Sequence, residues 1–390
     1  MSNVFWKQHD NESGPQNATE LKTANTTATA YWLEHIKLLK EEYDTRMLRY
    51  QEASNQARNF SMLPGSGLLT EHYDADPVAV GAGWFGVVLK ASRNGQEYAI
   101  KMFTSDNFQV AAKEVTMLLY TSMTPKQHEC ERVLISYTSH FRAKLGAKYY
   151  QKLLDDAQER RAFEIAAGLG GGHQNYLKKA ELCFVETRFE KGSNMEHLIQ
   201  ANADANLRSA GPALSFQQNL AVFLSLVAAV RCLHRNFIYH EDIYPRNIVI
   251  VDYVPDSTTI PHAVLLDFGI ACMIDHCAPA TQYAFQQEAQ TMKVDRDKQY
   301  MDILNCLDAV YDWLDGAKHF AFPINSRIFP SPKKSESTHA PLWDVVEKIW
   351  PITHRKQDEE NRDLHPTLEE VLPLSANEIY TELNALVIHV

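Results

Sequence analysis

The stretch that most constrains the fold is the one from residue 238 to residue 271, where polar side chains stand at the ends of two short apolar runs. Asp242 and Asn247 precede a predicted strand over Ile248–Val251, and Asp267 directly follows a second predicted strand over 263–266. Two neighbouring strands would therefore bring two carboxylates and one amide to one point. Oxygen ligands of this kind suit a divalent cation on a polyphosphate. The Asp242 carboxylate can orient a hydroxyl and accept its proton.

A glycine-rich stretch precedes this region, at residues 78–103. Gly81, Gly83 and Gly86 have the spacing G-x-G-x-x-G, between two runs that are rich in β-forming residues. Glycine lets backbone N–H groups approach phosphate oxygens, and Val88 would pack on a purine. A dinucleotide-binding Rossmann motif, the alternative, needs a helix directly after the glycines. Here the sequence continues as a strand and reaches a tight turn at Asn94-Gly95.

A lysine and a glutamate complete the candidate phosphate site. Lys101 ends the strand after the tight turn, in Ala99-Ile100-Lys101, and would reach phosphate oxygens as a compact cation. A helix is predicted to begin at Asp106, with Gln109 in a capping box. Its apolar face places Glu114 beside the core, so we expect Glu114 to orient Lys101. An ordinary surface glutamate is the alternative.

These motifs together resemble those of protein kinases. The triplet His240-Glu241-Asp242, the Asn247 that follows and Asp267-Phe268-Gly269 resemble the catalytic loop and the DFG motif. The resemblance covers about residues 78–372, with gaps at 121–179 and 275–300. It implies an α+β, two-lobed protein-kinase-like fold with a small β-rich N-lobe, a larger helical C-lobe and MgATP in the cleft. Asp302 resembles the buried aspartate that supports the catalytic-loop backbone, and His365–Leu372 resembles a segment near the end of a kinase domain.

The resemblance also assigns roles to individual residues. It implies Asp242, Lys101 and Arg246 as catalytic residues and Asn247 and Asp267 as Mg²⁺ ligands. The ATP-binding residues that it implies are Val80, Gly81, Ala82, Gly83, Trp84, Phe85, Gly86, Val88, Ala99, Lys101, Glu114 and Val249. The expected reaction is transfer of the ATP γ-phosphate to a hydroxyl, on Ser, Thr or Tyr of a protein.

The sequence departs from the kinase pattern at several positions. Glu241 replaces the usual arginine, Tyr244 replaces the usual lysine, and no A-P-E motif stands before Asp302. His365 replaces the arginine that would pair with that motif. Arg246, four residues after Asp242, is in the place of the arginine of tyrosine kinases and could neutralise the transferred phosphoryl group. A pseudokinase that acts as a scaffold and a small-molecule kinase of the aminoglycoside or choline kinase type remain alternatives.

Composition restricts the partners and the compartment. The 390 residues carry a formal net charge of −11, which argues against a nucleic-acid partner. The longest apolar run, 220–230, is too short to cross a bilayer, so no membrane partner is expected. The six cysteines show no C-x-x-C pair. They are expected to be free thiols, in an intracellular protein of the cytoplasm or nucleus, without a disulfide framework or zinc site.

The expected organisation has four parts. Residues 1–25 are polar and aperiodic and are predicted to be disordered. Residues 26–67 hold an amphipathic helix over 29–60 and a linker, Ser61–Gly67, and this helix could bind a partner. Residues 74–190 form the kinase-like N-lobe, with an insertion at 121–179 that contains a strand near 133–141 and a helix near 143–167. Residues 191–390 form the C-lobe, with an apolar helix over 217–233.

Overall fold

The fold is a mixture of α-helices and β-strands that includes a five-stranded antiparallel sheet. The computed structural model describes residues 18–83, 86–103, 107–123, 130, 132–155, 181–206, 215–253, 258–273 and 376–388, with helical residues between 302 and 314 and at 342. The expected mixed α and β content is confirmed. The chain divides into two compact units, Met1–Gln51 and Glu52–Val390, and each is described by itself.

A helix of 40 residues, α1 (Ala18–Ala57), forms the described part of the first unit and the start of the second. The predicted helix began at residue 29, so the prediction of disorder is wrong for residues 18–25. Those residues include Ala, Leu, Glu and Lys, which favour helix without an apolar stripe. Leu38 and Leu48 of α1 are 55% and 66% exposed.

The segment Ser61–Gly67 is not a free linker. The amide of Leu63 donates to the carbonyl of Arg142, and the amide of Arg142 donates to the carbonyl of Ser61. Leu63 itself is buried. Pro and Gly break the helix here, as the sequence predicts, but an apolar side chain on either side of Ser61, at Phe60 and Leu63, anchors the segment to the sheet.

The main sheet has the strand order β1-β2-β3-β5-β4, with antiparallel pairs throughout. Its strands are β1 (Val78–Gly83), β2 (Gly86–Arg93), β3 (Gln96–Phe103), β4 (Tyr137–Ala143) and β5 (Leu182–Arg188). Helix α2 (Phe108–Met123) follows β3, and helix α3 (Ala147–Asp155) follows β4. Asn94 and Gly95 join β2 to β3 with φ values of 55° and 75°. Positive φ at both central residues is the geometry that matches the strand twist.

The two faces of this sheet have different surroundings. Ile100 and Met102 of β3 belong to a buried cluster that also contains Leu69, Tyr150 of α3 and Phe184 of β5. Lys101, between Ile100 and Met102, points to the opposite face, because successive strand side chains alternate. The segment before β1 and helix α3 therefore cover one face, and the other face is left for the ionisable groups of the candidate site.

A buried polar cluster lies on the covered face. Glu186 of β5 is fully buried and accepts hydrogen bonds from Tyr73 at 2.5 Å, Arg93 at 2.9 Å and Ser139 at 3.0 Å. The guanidinium of Arg93 lies 4.7 Å from the ring centre of Tyr98. Three hydrogen bonds offset the cost of burying the carboxylate, and they tie three strands to the segment before β1.

The remaining elements include a long apolar helix, α5 (Phe216–Arg235). The others are β6 (Gly192–Asn194), α4 (Met195–Asn206), β7 (Ile238–Tyr239), β8 (Ile248–Val251), β9 (His262–Leu265), β10 (Cys272–Met273) and α6 (Ala376–Ile388). Strands β6, β8 and β9 form one sheet, and β7 pairs with β10. Ser215 and Gln218 form a capping box at the start of α5. Within the described part of the chain, α5 is long and apolar enough to cross a membrane, but it is mostly buried here against neighbouring elements.

The predicted insertion is described only in part. Its strand lies at 137–143 rather than 133–141, and its helix begins at residue 147 rather than 143. Both differences are small shifts of element boundaries, which are the weakest part of pattern-based prediction. The rest of the predicted helix, after residue 155, lies outside the described residues.

The expectation that all six cysteines are free thiols is wrong. Cys130 and Cys232 form a disulfide across 102 residues of sequence, with their Cα atoms 5.8 Å apart. Cys272 is also disulfide-bonded, whereas Cys183 and Cys306 are free and buried. The spacing of cysteines along the chain does not reveal a pair that tertiary contacts bring together.

Candidate active site

Three ionisable side chains from three parts of the chain meet at the centre of the candidate site. The ammonium of Lys101 lies 2.8 Å from a carboxylate oxygen of Glu114 and 2.6 Å from one of Asp267. Lys101 comes from β3, Glu114 from α2, and Asp267 from the loop after β9. The predicted contact between Lys101 and Glu114 is confirmed. Lys101 and Glu114 are almost completely buried, and a third of the Asp267 side chain is exposed.

Burial and charge act in opposite directions on these groups. Burial disfavours the ammonium of Lys101, but attraction by Glu114 and Asp267 outweighs it and raises the pKa of Lys101. Burial raises the pKa of Glu114 to about 7, against the attraction of Lys101. Burial would also raise the pKa of Asp267, but the Lys101 ammonium lowers it overall. The triad thus holds a permanent cation next to an ionised Asp267.

The backbone of the loop that carries Asp267 allows the three charged side chains to lie close together. Asp267 has a φ of 56°, a region that costs free energy for a residue other than glycine. Its carboxylate accepts a hydrogen bond from the amide of Gly269 at 3.0 Å. A Cβ at Gly269 would lie 3.0 Å from that oxygen and 3.5 Å from the ammonium of Lys101. Glycine therefore leaves room for the three charged groups.

A second cluster is formed by Asp242, Arg246 and Asn247, in the loop between β7 and β8. Arg246 donates to the Asp242 carboxylate at 2.6 Å, and its guanidinium lies 4.7 Å from the ring centre of Tyr244. Asn247 donates from its amide nitrogen to the backbone carbonyl and the carboxylate of Asp242, at 2.9 and 2.8 Å. These bonds fix the orientation of the Asp242 carboxylate. Arg246 is half-exposed.

Backbone hydrogen bonds join the two clusters. The amide of Leu266, the residue before Asp267, donates to the carbonyl of Asn247 at 2.8 Å. On the other side, the amide of Leu265 donates to the carbonyl of Val133 at 2.9 Å. The end of β9 is therefore held from both sides, and Asn247 is bonded to Leu266, the residue directly before Asp267.

The donor set of Asn247 and Asp267 fits a Mg²⁺ ion. The amide nitrogen of Asn247 is engaged with Asp242, which leaves its carbonyl oxygen as the available ligand. Asp267 adds a carboxylate that is ionised, because its pKa is lowered. Hard oxygen ligands from one or two side chains are typical of magnesium held on substrate phosphates. Among the described residues, no group of three or more His, Cys, Asp or Glu side chains is arranged to hold a metal ion by itself.

A buried aspartate holds the backbone of the Asp242 loop. Asp302 accepts hydrogen bonds from the amides of His240 and Glu241, both at 2.8 Å. This contact is the one predicted for Asp302. Glu241 has a φ of 61°, so the anchored backbone is in the left-handed region directly before Asp242. The side chain of His240 bonds the carbonyl of Leu266 at 2.8 Å, and its ring packs edge-on against Phe268.

Two supporting contacts were missed at the sequence level. His234 lies 3.1 Å from Asp302, and Asn194 donates to the carbonyl of Arg246 at 2.6 Å. His234 stands at the end of an apolar helix and Asn194 follows Gly192-Ser193, which are weak signals. Only the folded chain brings them to the loop.

The expected nucleotide-contacting residues lie on the strands next to Lys101. Val88 and Lys101 are register partners across β2 and β3, and Gly83 pairs with Gly86 where β1 and β2 meet. The other predicted residues in these strands are Val80, Gly81, Ala82 and Ala99, and Val249 lies in β8. Trp84 and Phe85 lie outside the described residues, as do residues 274–301 and the segment His365–Leu372. The glycine strands and Lys101 are thus on one sheet.

Comparison with known proteins adds no family assignment. No family model matches the chain, and no curated protein matches it significantly.

Proposed function

We propose that the chain is an ATP-dependent phosphotransferase of the protein kinase fold, which transfers the ATP γ-phosphate to a hydroxyl of a protein. The observation that carries this proposal is the position of Lys101, bonded at once to Glu114 and Asp267. A buried lysine held by a helix glutamate and next to a metal-binding aspartate is the arrangement that phosphoryl transfer by kinases requires.

The order of elements supports the fold part of the proposal. Three antiparallel strands, a helix and two more strands of the same sheet come first, and α5 and the loop with Asp242 follow. This order fits a small β-rich N-lobe and a larger, mainly helical C-lobe, with the loops of Asp242 and Asp267 facing the cleft between them.

Different residues of the chain would bind the phosphates, hold the metal ion and stabilise the transferred group. Lys101 would bind phosphate oxygens as a fixed cation, and the glycines of β1 and β2 would let backbone amides approach them. Asn247 and Asp267 would hold Mg²⁺, which neutralises charge on the phosphates when it is bound. Arg246 would stabilise charge on the transferred group through N–H donors other than the one bonded to Asp242.

Asp242 would act on the acceptor hydroxyl. Its carboxylate is held by Asn247 and Arg246, so its orientation is set before the acceptor binds. Such preorganisation lowers the barrier, because little rearrangement is needed in the transition state. Asp242 would position the hydroxyl for in-line attack and accept its proton late in the reaction.

A scaffold function is a second candidate, and α1 is the observation that favours it. Leu38 and Leu48 are large apolar side chains that are more than half exposed on this helix. A partner protein could bind them while the catalytic residues contribute little. In that case the chain would be a pseudokinase.

The test is a product assay with γ-labelled ATP, Mg²⁺ and a peptide library that contains Ser, Thr and Tyr, with Asp242→Asn as the control for contaminating kinases. Label in peptide with the wild-type chain, and its loss in Asp242→Asn, supports protein phosphorylation. Label transferred only to an aminoglycoside or choline would identify a small-molecule kinase. Equal label with both chains, or none, contradicts the proposal.

A further inference from the structure

We infer that Lys113, which no kinase motif includes, is a positioning residue that holds the turn after Asp267 against α2. Its ammonium donates to the carbonyl of Ile270 at 3.0 Å. Ile270 lies in a turn that is closed by a hydrogen bond from the amide of Ala271 to the carbonyl of Phe268, at 3.2 Å. The side chain of Lys113 therefore reaches from the helix to the loop of the candidate active site.

Together with the Lys101 contacts, this contact completes a closed series of interactions between α2 and the Asp267 loop. Lys113 and Glu114 are neighbours on α2. Glu114 leads through Lys101 to the Asp267 carboxylate, and Lys113 leads to Ile270, three residues after Asp267. The Asp267 loop is thus connected to α2 twice, through the side chain of Asp267 by way of Lys101 and through the backbone carbonyl of Ile270.

The two connections differ in what ATP would do to them. Phosphate oxygens would compete for the ammonium of Lys101, and this competition would weaken its bond with Asp267. The contact between Lys113 and Ile270 uses a backbone carbonyl and a separate ammonium, so it would persist. We therefore expect Lys113 to hold the turn in place when the bond between Asp267 and Lys101 weakens. This role in turnover rests on the proposed function, whereas the tether itself does not.

A third contact anchors the other end of the same helix. The hydroxyl of Tyr120 donates to the carbonyl of Asn236, in the turn between α5 and β7, at 3.2 Å. Helix α2 is therefore bonded to the turns before and after the two loops of the site without any ligand. Removal of the Lys113 contact should loosen the turn after Asp267 and leave the contact between Tyr120 and Asn236 in place.

The test is amide hydrogen exchange on the full, ligand-free chain, which reports the tether without reference to ATP. The amides of Gly269 and Ala271 are the reporters, because both donate hydrogen bonds within the turn. Lys113→Ala should raise their exchange rates about fivefold or more, and Lys113→Arg should restore them. Lys148→Ala, which removes an exposed lysine of α3, is the control.

The same variants are then compared in ATP turnover. We expect Lys113→Ala to lower kcat about fivefold and to leave KM for ATP within about twofold. Unchanged exchange in Lys113→Ala, or an equal rise in Lys148→Ala, would overturn the tether. Faster exchange with wild-type kcat would overturn the role in turnover. A wild-type chain with no turnover refutes the proposed function, and the exchange rates still decide the tether.

Discussion

The amide of Leu266 donates a 2.8 Å hydrogen bond to the carbonyl of Asn247, and this bond joins the two halves of the candidate active site. Asn247 also holds the carboxylate of Asp242, and Leu266 precedes Asp267. The backbone therefore fixes Asp242, proposed to act on the acceptor, relative to Asp267, proposed to face the ATP phosphates.

The carboxylate of Asp267 should matter for transfer more than for nucleotide binding. Asp267→Asn keeps the shape and removes the negative charge that would hold Mg²⁺, so we expect transfer to be abolished while ATP still binds. Label transfer and ATP titration on the same preparation measure the two effects. Unchanged turnover would show that Asp267 is not a metal ligand.

The buried Glu114 predicts a pH effect on stability. Its pKa is raised from an ordinary value of 4.5 to about 7, so between these values the folded chain binds a proton that the unfolded chain lacks. Stability from this group is therefore present at low pH and is lost as the pH rises through about 7. Glu114→Gln cannot ionise and should lack this loss.

Urea denaturation at pH 5 and pH 7.5 measures the effect in ligand-free protein. The free energy of unfolding of the wild type, minus that of Glu114→Gln, should fall between the two pH values. The subtraction cancels contributions from histidines such as His72, which are common to both chains. A difference that stays the same at the two pH values would mean that Lys101 keeps Glu114 ionised throughout this range.

The Cys130–Cys232 disulfide should contribute strongly to stability. It closes a loop of about 100 residues, for which the chain-entropy model gives about 4 to 5 kcal/mol at 25 °C. The double variant Cys130→Ser, Cys232→Ser should therefore lose much of that free energy of unfolding. Reductant should destabilise the wild type more than the double variant, which keeps the disulfide of Cys272. Alkylation of both Cys130 and Cys232 without prior reduction would contradict the pairing.

The buried carboxylate of Glu186 should make Arg93 important for folding. Arg93→Met leaves a fully buried carboxylate without its cation, and we expect a loss of about 3 kcal/mol in the free energy of unfolding. Lys191→Met removes an exposed partner of Glu97 and should cost less than about 1 kcal/mol. Adding Glu186→Gln to Arg93→Met should recover part of the loss. If Arg93→Met and Lys191→Met lose the same free energy of unfolding, the cluster around Glu186 does not stabilise the fold.

Local sequence patterns predicted the parts of the site that depend on residues close together in the chain. Asp242 and Asp267 follow short apolar runs and lie in the loops after β7 and β9, and Lys101 lies near the end of β3. The helix α5 and the turn at Asn94 were likewise predictable, because apolar composition and turn chemistry are local properties.

Long-range contacts could not be predicted from the sequence. The pairing of Ser61–Gly67 with β4, the partners of Glu186 and the Cys130–Cys232 disulfide all join residues that are far apart in the chain. Nothing in their local sequence distinguishes these residues from surface or loop residues. Their positions follow from tertiary packing, which only the complete fold determines.

Thermal unfolding with and without MgATP tests most directly whether Lys101 and its two carboxylates form a MgATP site. At about 100 times its dissociation constant, MgATP should stabilise the wild type by roughly 2.7 kcal/mol. Lys101→Met should lose most of this gain relative to its own ligand-free baseline, and Lys148→Met should keep it. A wild-type melting temperature that does not change at millimolar MgATP would contradict the account.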